Sequence, residues 1–160
     1  DALPISANAQ KFALIDMEYI LKNIPAYQSA SNELNQVSKQ WQNEVEKLGK
    51  EAKSLYDSYQ ASVKTLSDAQ KTKKEEEIVA KEKSAAELRR KYFGPEGELF
   101  KKREALMQPI QDEIYEAVKA ISTQKGYAVV VDRASASSII FASPNIDISN
   151  EVLAKLGYSN

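Results

Sequence analysis

Cysteine and histidine are both absent from this chain of 160 residues. Without Cys there is no disulfide, no thiolate metal site and no Cys nucleophile, a usage that fits an oxidising compartment. Without His the commonest general base near neutral pH and the commonest metal ligand are missing. Glycine and proline are scarce, five of each, so long uninterrupted helices are permitted. No apolar run reaches the roughly 18 residues of a membrane-spanning helix. Neither sign of charge dominates. The formal net charge is −1, and no basic excess points to nucleic acid.

What is present is periodic. From Ala30 the apolar positions fall at Leu34, Val37, Trp41, Val45, Leu48, Ala52, Leu55, Tyr59, Val63 and Leu66, every step three or four residues. A second run carries Ile78, Ala85, Leu88, Tyr92, Leu99, Leu106, Ile110, Ala117 and Ile121. One narrow apolar stripe per helix, with charge elsewhere, is a coiled-coil seam. The mean step from Leu34 to Leu66 is about 3.56 residues, between a strict heptad and an unstrained helix, which predicts weak supercoiling. Two such helices joined by a short turn near Thr65-Leu66-Ser67-Asp68 run antiparallel. The expected arm covers residues 26–124.

Inside the return helix lies Gly94-Pro95-Glu96-Gly97. Gly and Pro weaken a helical ladder by roughly 1 and 3 kcal/mol relative to Ala, so Gly94, Pro95 and Gly97 read as a hinge. The apolar phase survives it, because Tyr92 and Leu99 are seven residues apart. Pro109 is expected to bend the same helix again.

The ends of the chain are strand-like. Lys11–Ile15 is a short apolar strand, followed by Asp16 as a helix cap. Tyr127–Asp132 is a second, valine-rich strand that follows Gly126. Ser138-Ile139-Ile140-Phe141-Ala142 reads as a third, the hairpin partner of the second. Asp147 or Ser149 caps a last helix that Gly157 ends. Residues 11–25 and 125–160 form the expected β-rich body. Roughly 60 residues is a size at which a domain alone is marginal. Residues 1–10, with Ala7-Asn8-Ala9, read as a disordered tail or the remnant of an export signal.

Carboxylate groups such as Asp112-Glu113 and Glu75-Glu76-Glu77 lie on helix surface, where no pocket dries them. Gly94-x-x-Gly97 lacks the preceding strand and the Lys-Ser/Thr ending of a phosphate loop. No residue is assigned to catalysis, to a metal or to a cofactor, and no enzyme is expected. Tyr56, Phe93 and Phe100 lie beside the seam or flank the break. Packing across the hairpin and apolar contact with another chain are both open readings for them.

The order of these parts resembles the Skp/OmpH family of periplasmic chaperones. The segments that carry the resemblance are Lys11-Phe12-Ala13-Leu14-Ile15-Asp16, Tyr127-Ala128-Val129-Val130-Val131-Asp132 and Asp147-Ile148-Ser149-Asn150-Glu151-Val152-Leu153, placed around a coiled-coil hairpin. The resemblance covers residues 11–157. It implies an α+β fold: a long antiparallel helical hairpin protruding from a small β-barrel body assembled by trimerisation. It also implies an ATP-independent holdase in the periplasm that keeps unfolded outer-membrane proteins in a cavity between the arms. Trimer contacts are then expected at Phe12, Ile15, Val129, Val131, Ile139 and Phe141, and client contacts at Tyr56, Phe93 and Phe100. Familiar members are markedly basic. Here residues 26–124 hold 17 Lys/Arg and 17 Asp/Glu. That balance argues against contact with lipopolysaccharide or a membrane surface. The competing reading is a structural or tethering coiled coil that binds a partner helix.

Overall fold

A computed structural model describes residues 11–158. The tail reading of residues 1–10 lies outside the described residues. The described chain is mostly helical, with one small sheet. It divides into two compact units, one made of the segments up to residue 30 and from 107 onward, the other of 31–106. Two long helices, α2 (Pro25–Ser62) and α4 (Glu98–Lys125), contribute to both. The expected arm boundaries at 26 and 124 therefore fall among helix turns of the first unit.

In the first unit β1 (Lys11–Ile15) pairs with β2 (Tyr127–Asp132) in parallel, with Phe12 opposite Val129 and Leu14 opposite Val131. Parallel pairing requires a long crossover, which the intervening helices supply. Asp16 ends β1 and caps α1 (Met17–Lys22): its carboxylate accepts from the Tyr19 N–H at 3.0 Å. Pro25 opens α2, where its missing N–H costs nothing. Ala13, Leu14 and Ile15 of β1, Ile20 of α1, and Ile110, Ile114, Ala117 and Ile121 of α4 are buried. So are Ile148 and, in α5 (Ser149–Lys155), Val152 and Leu153. Gly126 ends α4 at φ 77° and Gly157 follows α5 at φ 90°, left-handed positions that favour glycine.

The expected third strand is corrected. Ser138–Ala142 is not a strand, and the described sheet has two strands and is open, not a closed barrel. The reason is a tether. Leu14 bridges to Asp147, and the Ile148 N–H donates to the Leu14 carbonyl at 2.8 Å. Residues 147–148 thus occupy the other edge of β1. The connection from β2 must cross to that edge, which carries Ser138–Ala142 away from the free edge of β2.

In the second unit α2 faces α3 (Asp68–Phe93) and the start of α4. Every expected seam position between Leu34 and Leu106 is buried or half-buried, Leu34, Val45, Ala52 and Ile78 fully so. A single 3₁₀ turn, Val63–Thr65, closes the tip. Ser67 then caps α3 reciprocally. Its hydroxyl accepts from the Gln70 N–H at 3.2 Å, and the Gln70 side chain accepts from the Ser67 N–H at 2.9 Å. The helix breaks between Phe93 and Glu98, as the Gly-Pro segment predicts, and Pro109 lies inside α4 without ending it.

Candidate functional site

The two-helix unit is registered by four polar ties across the seam. Lys102 pairs with Glu33 at 2.7 Å and Lys81 with Glu51 at 2.9 Å. Tyr92 and Tyr59 donate their hydroxyls to Glu44 and Glu75. Moving down one helix moves equally up the other, so these ties fix one antiparallel register across both sides of the break. They also shift the groups that form them. The hydrogen bond from Lys81 and its charge hold the Glu51 carboxyl below the ordinary carboxylate value. Donation to Glu44 and Glu75 raises the Tyr92 and Tyr59 hydroxyls. Next to the break, Trp41 stacks flat on Tyr92, with centroids 4.6 Å apart and planes 3° from parallel. Phe93 meets Tyr92 edge-on at 6.3 Å.

The break itself is closely packed. The Gly94 N–H donates to the Arg90 carbonyl and the Gly97 N–H to the Gly94 carbonyl, both at 2.9 Å. A Cβ at Gly94 would lie 2.4 Å from the Arg90 carbonyl oxygen, and one at Gly97 would lie 2.8 Å from that of Lys91. Gly97 is buried, while Pro95 is exposed. The two glycines are therefore required by close backbone approach.

Beside the seam the unit presents separated apolar side chains to water. Tyr56 and Phe100 are exposed, and Phe93 is half-buried against Tyr92. Tyr56 rims a shallow groove floored by Gly49, Ala52, Ala85 and Ala86, with Arg89 opposite. The structure does not gather the three aromatics. Along α2, Tyr56 lies about 22 Å from Trp41, which stacks on Tyr92, the ring that Phe93 meets edge-on. The sequence reading missed Val79, which is 61 % exposed. A Val one position off the stripe, next to Ile78, was the available signal. Ile114, fully buried in the first unit, was also missed, although Ile110, Ile114, Ala117 and Ile121 step by four, three and four.

In the first unit the six expected contact residues differ in exposure. Phe12 and Val129 are exposed neighbours on one face of the sheet, and Phe141 is exposed. Val131 and Ile139 are half-buried. Ile15 is buried in its own chain, on the face of β1 that lines a cleft with α4. Polar groups pin the last helix to the first. The Asp16 N–H donates to the Ser149 hydroxyl at 2.8 Å, and that hydroxyl donates to Asp147 at 2.6 Å. The Met17 N–H donates to Asp132 at 3.1 Å. Partial burial works to raise the Asp147 carboxyl. Hydrogen bonds from the Ser149 side chain and backbone, with Arg133 beside it, outweigh that and hold it below the ordinary value. Among the described residues no three Asp, Glu, His or Cys side chains gather to hold a metal, and no helix is long and apolar enough to cross a membrane.

Comparison with known proteins follows the same outline. A family model described as outer membrane protein (OmpH-like) matches residues 11–156. The chaperone protein Skp of Photorhabdus luminescens is 24 % identical over 167 residues, covering 97 % of this chain and 92 % of its own. Skp of Yersinia enterocolitica is 23 % identical over 157 residues, with 97 % and 91 % covered. An OmpH-like outer membrane chaperone structure from Caulobacter crescentus superposes with a TM-score of 0.72 at 13 % identity, covering 98 % of this chain and 85 % of that one.

Proposed function

Because the chain belongs to the Skp/OmpH family of chaperones, we propose that it is a periplasmic holdase that works as a homotrimer, without ATP, on unfolded outer-membrane proteins. The observation that carries this reading is the span of the family match. It runs through both the sheet unit and the hairpin unit, residues 11–156, so the resemblance is not that of one coiled coil to another.

The geometry supports a holding role in physical terms. An unfolded barrel protein carries alternating apolar side chains that stay unburied until it reaches a membrane. A two-helix arm spends its apolar stripe on its own seam and keeps only scattered exposed side chains, here Tyr56, Val79 and Phe100. Many weak, replaceable contacts suit a client without fixed structure. The trimer reading is supported by the open two-stranded sheet, whose unpaired edge closure between copies would cover.

The test is dilution of a urea-unfolded outer-membrane protein into buffer with and without this chain at trimer excess. Suppressed light scattering without nucleotide is the expected result. Equal aggregation in both arms removes the holdase reading and favours a tethering coiled coil. Sedimentation of the protein alone at micromolar concentration should give the mass of three chains.

A further inference from the structure

Four of the five glycines are explained by the chain itself. Gly126 and Gly157 have positive φ, and Gly94 and Gly97 lie where a Cβ would meet backbone. Gly49 has neither reason. It stands in the middle of α2 without a positive φ, and a Cβ there would meet nothing within 4 Å. A glycine inside a helix is less favourable than alanine, so Gly49 weakens α2 without serving any contact of its own chain. Glycine is also the residue that lets something from outside approach the backbone closely. Gly49 lies on the floor of the groove beside Tyr56, which holds about 460 Å³ between α2 and α3. Ala52, Ala85 and Ala86 continue that floor, so both helices contribute small side chains to it. Tyr56 stands at one side and Arg89 at the other, both exposed. On the seam, Tyr59 and Tyr92 donate their hydroxyls to Glu75 and Glu44. Among the described residues the Tyr56 hydroxyl has no such partner, and Arg89 has no ion pair.

We propose that this groove takes an aromatic side chain of an unfolded client chain, laid on the bare backbone of Gly49. The proposal rests on the holdase reading above and names the client group that the hairpin recognises. A flat ring needs a floor without long side chains, which Gly49 and the alanines provide. The Tyr56 ring offers the offset or edge-on contact that aromatic pairs prefer. The Arg89 guanidinium is attracted to the face of a ring and has no such attraction to an aliphatic chain. Charge at the rim points the same way. Lys53 and Arg89 stand there against one anion, Glu82, so a client carboxylate next to the aromatic is favoured over a client cation. The opposite flank of α2 differs in kind. The groove there is lined mainly by polar side chains, among them Asn43, Lys47, Ser54 and Ser58.

The test sets stability against capture. Gly49→Gln places a side chain over the floor of the groove. Gly49→Ala is the smaller change, and Ser54→Gln is the control on the opposite flank. Affinity is measured for a fluorescently labelled, urea-unfolded outer-membrane protein diluted into each variant. Both Gly49 variants should unfold at higher denaturant than the parent, because glycine is the poorer helix former. Gly49→Gln should nevertheless capture the client more weakly, by about threefold or more, while Ser54→Gln captures it as the parent does. A soluble peptide with Phe at alternate positions should displace the client from the parent, and its Leu counterpart should need roughly threefold more. Arg89→Gln should narrow that difference. Gly49 variants less stable than the parent would give the glycine a structural role and overturn the proposal. Undiminished capture by Gly49→Gln would overturn it, and so would equal displacement by the two peptides, which would make the groove a generic apolar contact. A changed sedimentation mass of Gly49→Gln would assign the groove to contact between copies and also overturn it. In each of these cases the parent still captures its client and the holdase reading stands. A parent that captures no unfolded chain overturns both.

Discussion

Ser149 is buried to 4 % exposure, yet it is polar. Its hydroxyl accepts from the Asp16 N–H and donates to Asp147, so one oxygen satisfies groups at the end of β1 and the start of α5. Ser149→Ala removes both bonds and leaves a part-buried N–H unpaired. A loss of about 1–3 kcal/mol is expected, read as a lower denaturation midpoint with an unchanged denaturant slope. Asp147 adds a pH dependence. Its folded carboxyl is held below the ordinary value, and an unperturbed Asp titrates near about 3.9. The stabilisation is therefore present above that value and is lost as pH falls through the folded pKa. Stability should decline in acid below about pH 4, and Asp147→Asn should flatten that decline while lowering stability at pH 7. An unchanged acid limb in the variant would assign the decline to other carboxylates.

At the scale of elements, the break between α3 and α4 decides how the return helix behaves. Pro95 biases the residue before it away from helical geometry, and Gly94 and Gly97 allow backbone contacts that a Cβ would block. The sequence reading treats this segment as a hinge because Gly and Pro weaken a helix. The structure adds that the segment is hydrogen-bonded and tightly packed. Gly97→Val forces at least one neighbouring carbonyl to move, which should cost about 1–3 kcal/mol and speed amide exchange in residues 92–101. Exchange as slow as in the parent chain would mean that the turn reshapes without cost. Trp41→Ala removes the flat stack on Tyr92. It should destabilise the hairpin unit by about 2 kcal/mol, since an aromatic pair adds about 0.5–1.5 kcal/mol beyond its buried area.

For the molecule as a whole, the two units hold separate apolar interiors, a mixed helix–strand core in one and a seam in the other. Seam layers act mainly on their neighbours, so stability along the hairpin is local. Deleting residues 53–80, which removes the tip, should leave the sheet signal and the sedimentation mass per assembly in place, apart from the deleted residues. Dissociation of the shortened chain would show that the sheet unit depends on the tip. Client capture in turn should depend weakly on salt, because residues 26–124 balance 17 cations against 17 anions and exposed charges are screened beyond about 10 Å at 0.1 M salt. Aggregation suppression measured from low to moderate salt checks this. A collapse at moderate salt would place attraction by local basic clusters above the overall balance.

The sequence alone determined the hairpin, both paired strands, the tip turn near Ser67, the break at Gly94–Gly97 and the ends at Gly126 and Gly157. Each is written in local chemistry: a period of three to four, a capping residue, a missing Cβ or a missing N–H. The family outline was legible for the same reason, as an order of local motifs. What the tertiary structure decided was which distant parts share space. Ser138–Ala142 has the β-branched and aromatic residues of a strand, yet the bridge from Leu14 to Asp147 claims the other edge of β1 and carries that segment off the sheet. Ile15 belongs to an alternating pattern, and only the fold places it, buried, on the face of β1 that shares a cleft with α4. The parallel pairing of β1 with β2, the Trp41–Tyr92 stack and the Glu ties across the seam all join residues far apart in the chain. Their geometry depends on the register of the two long helices, which no window of a few residues contains.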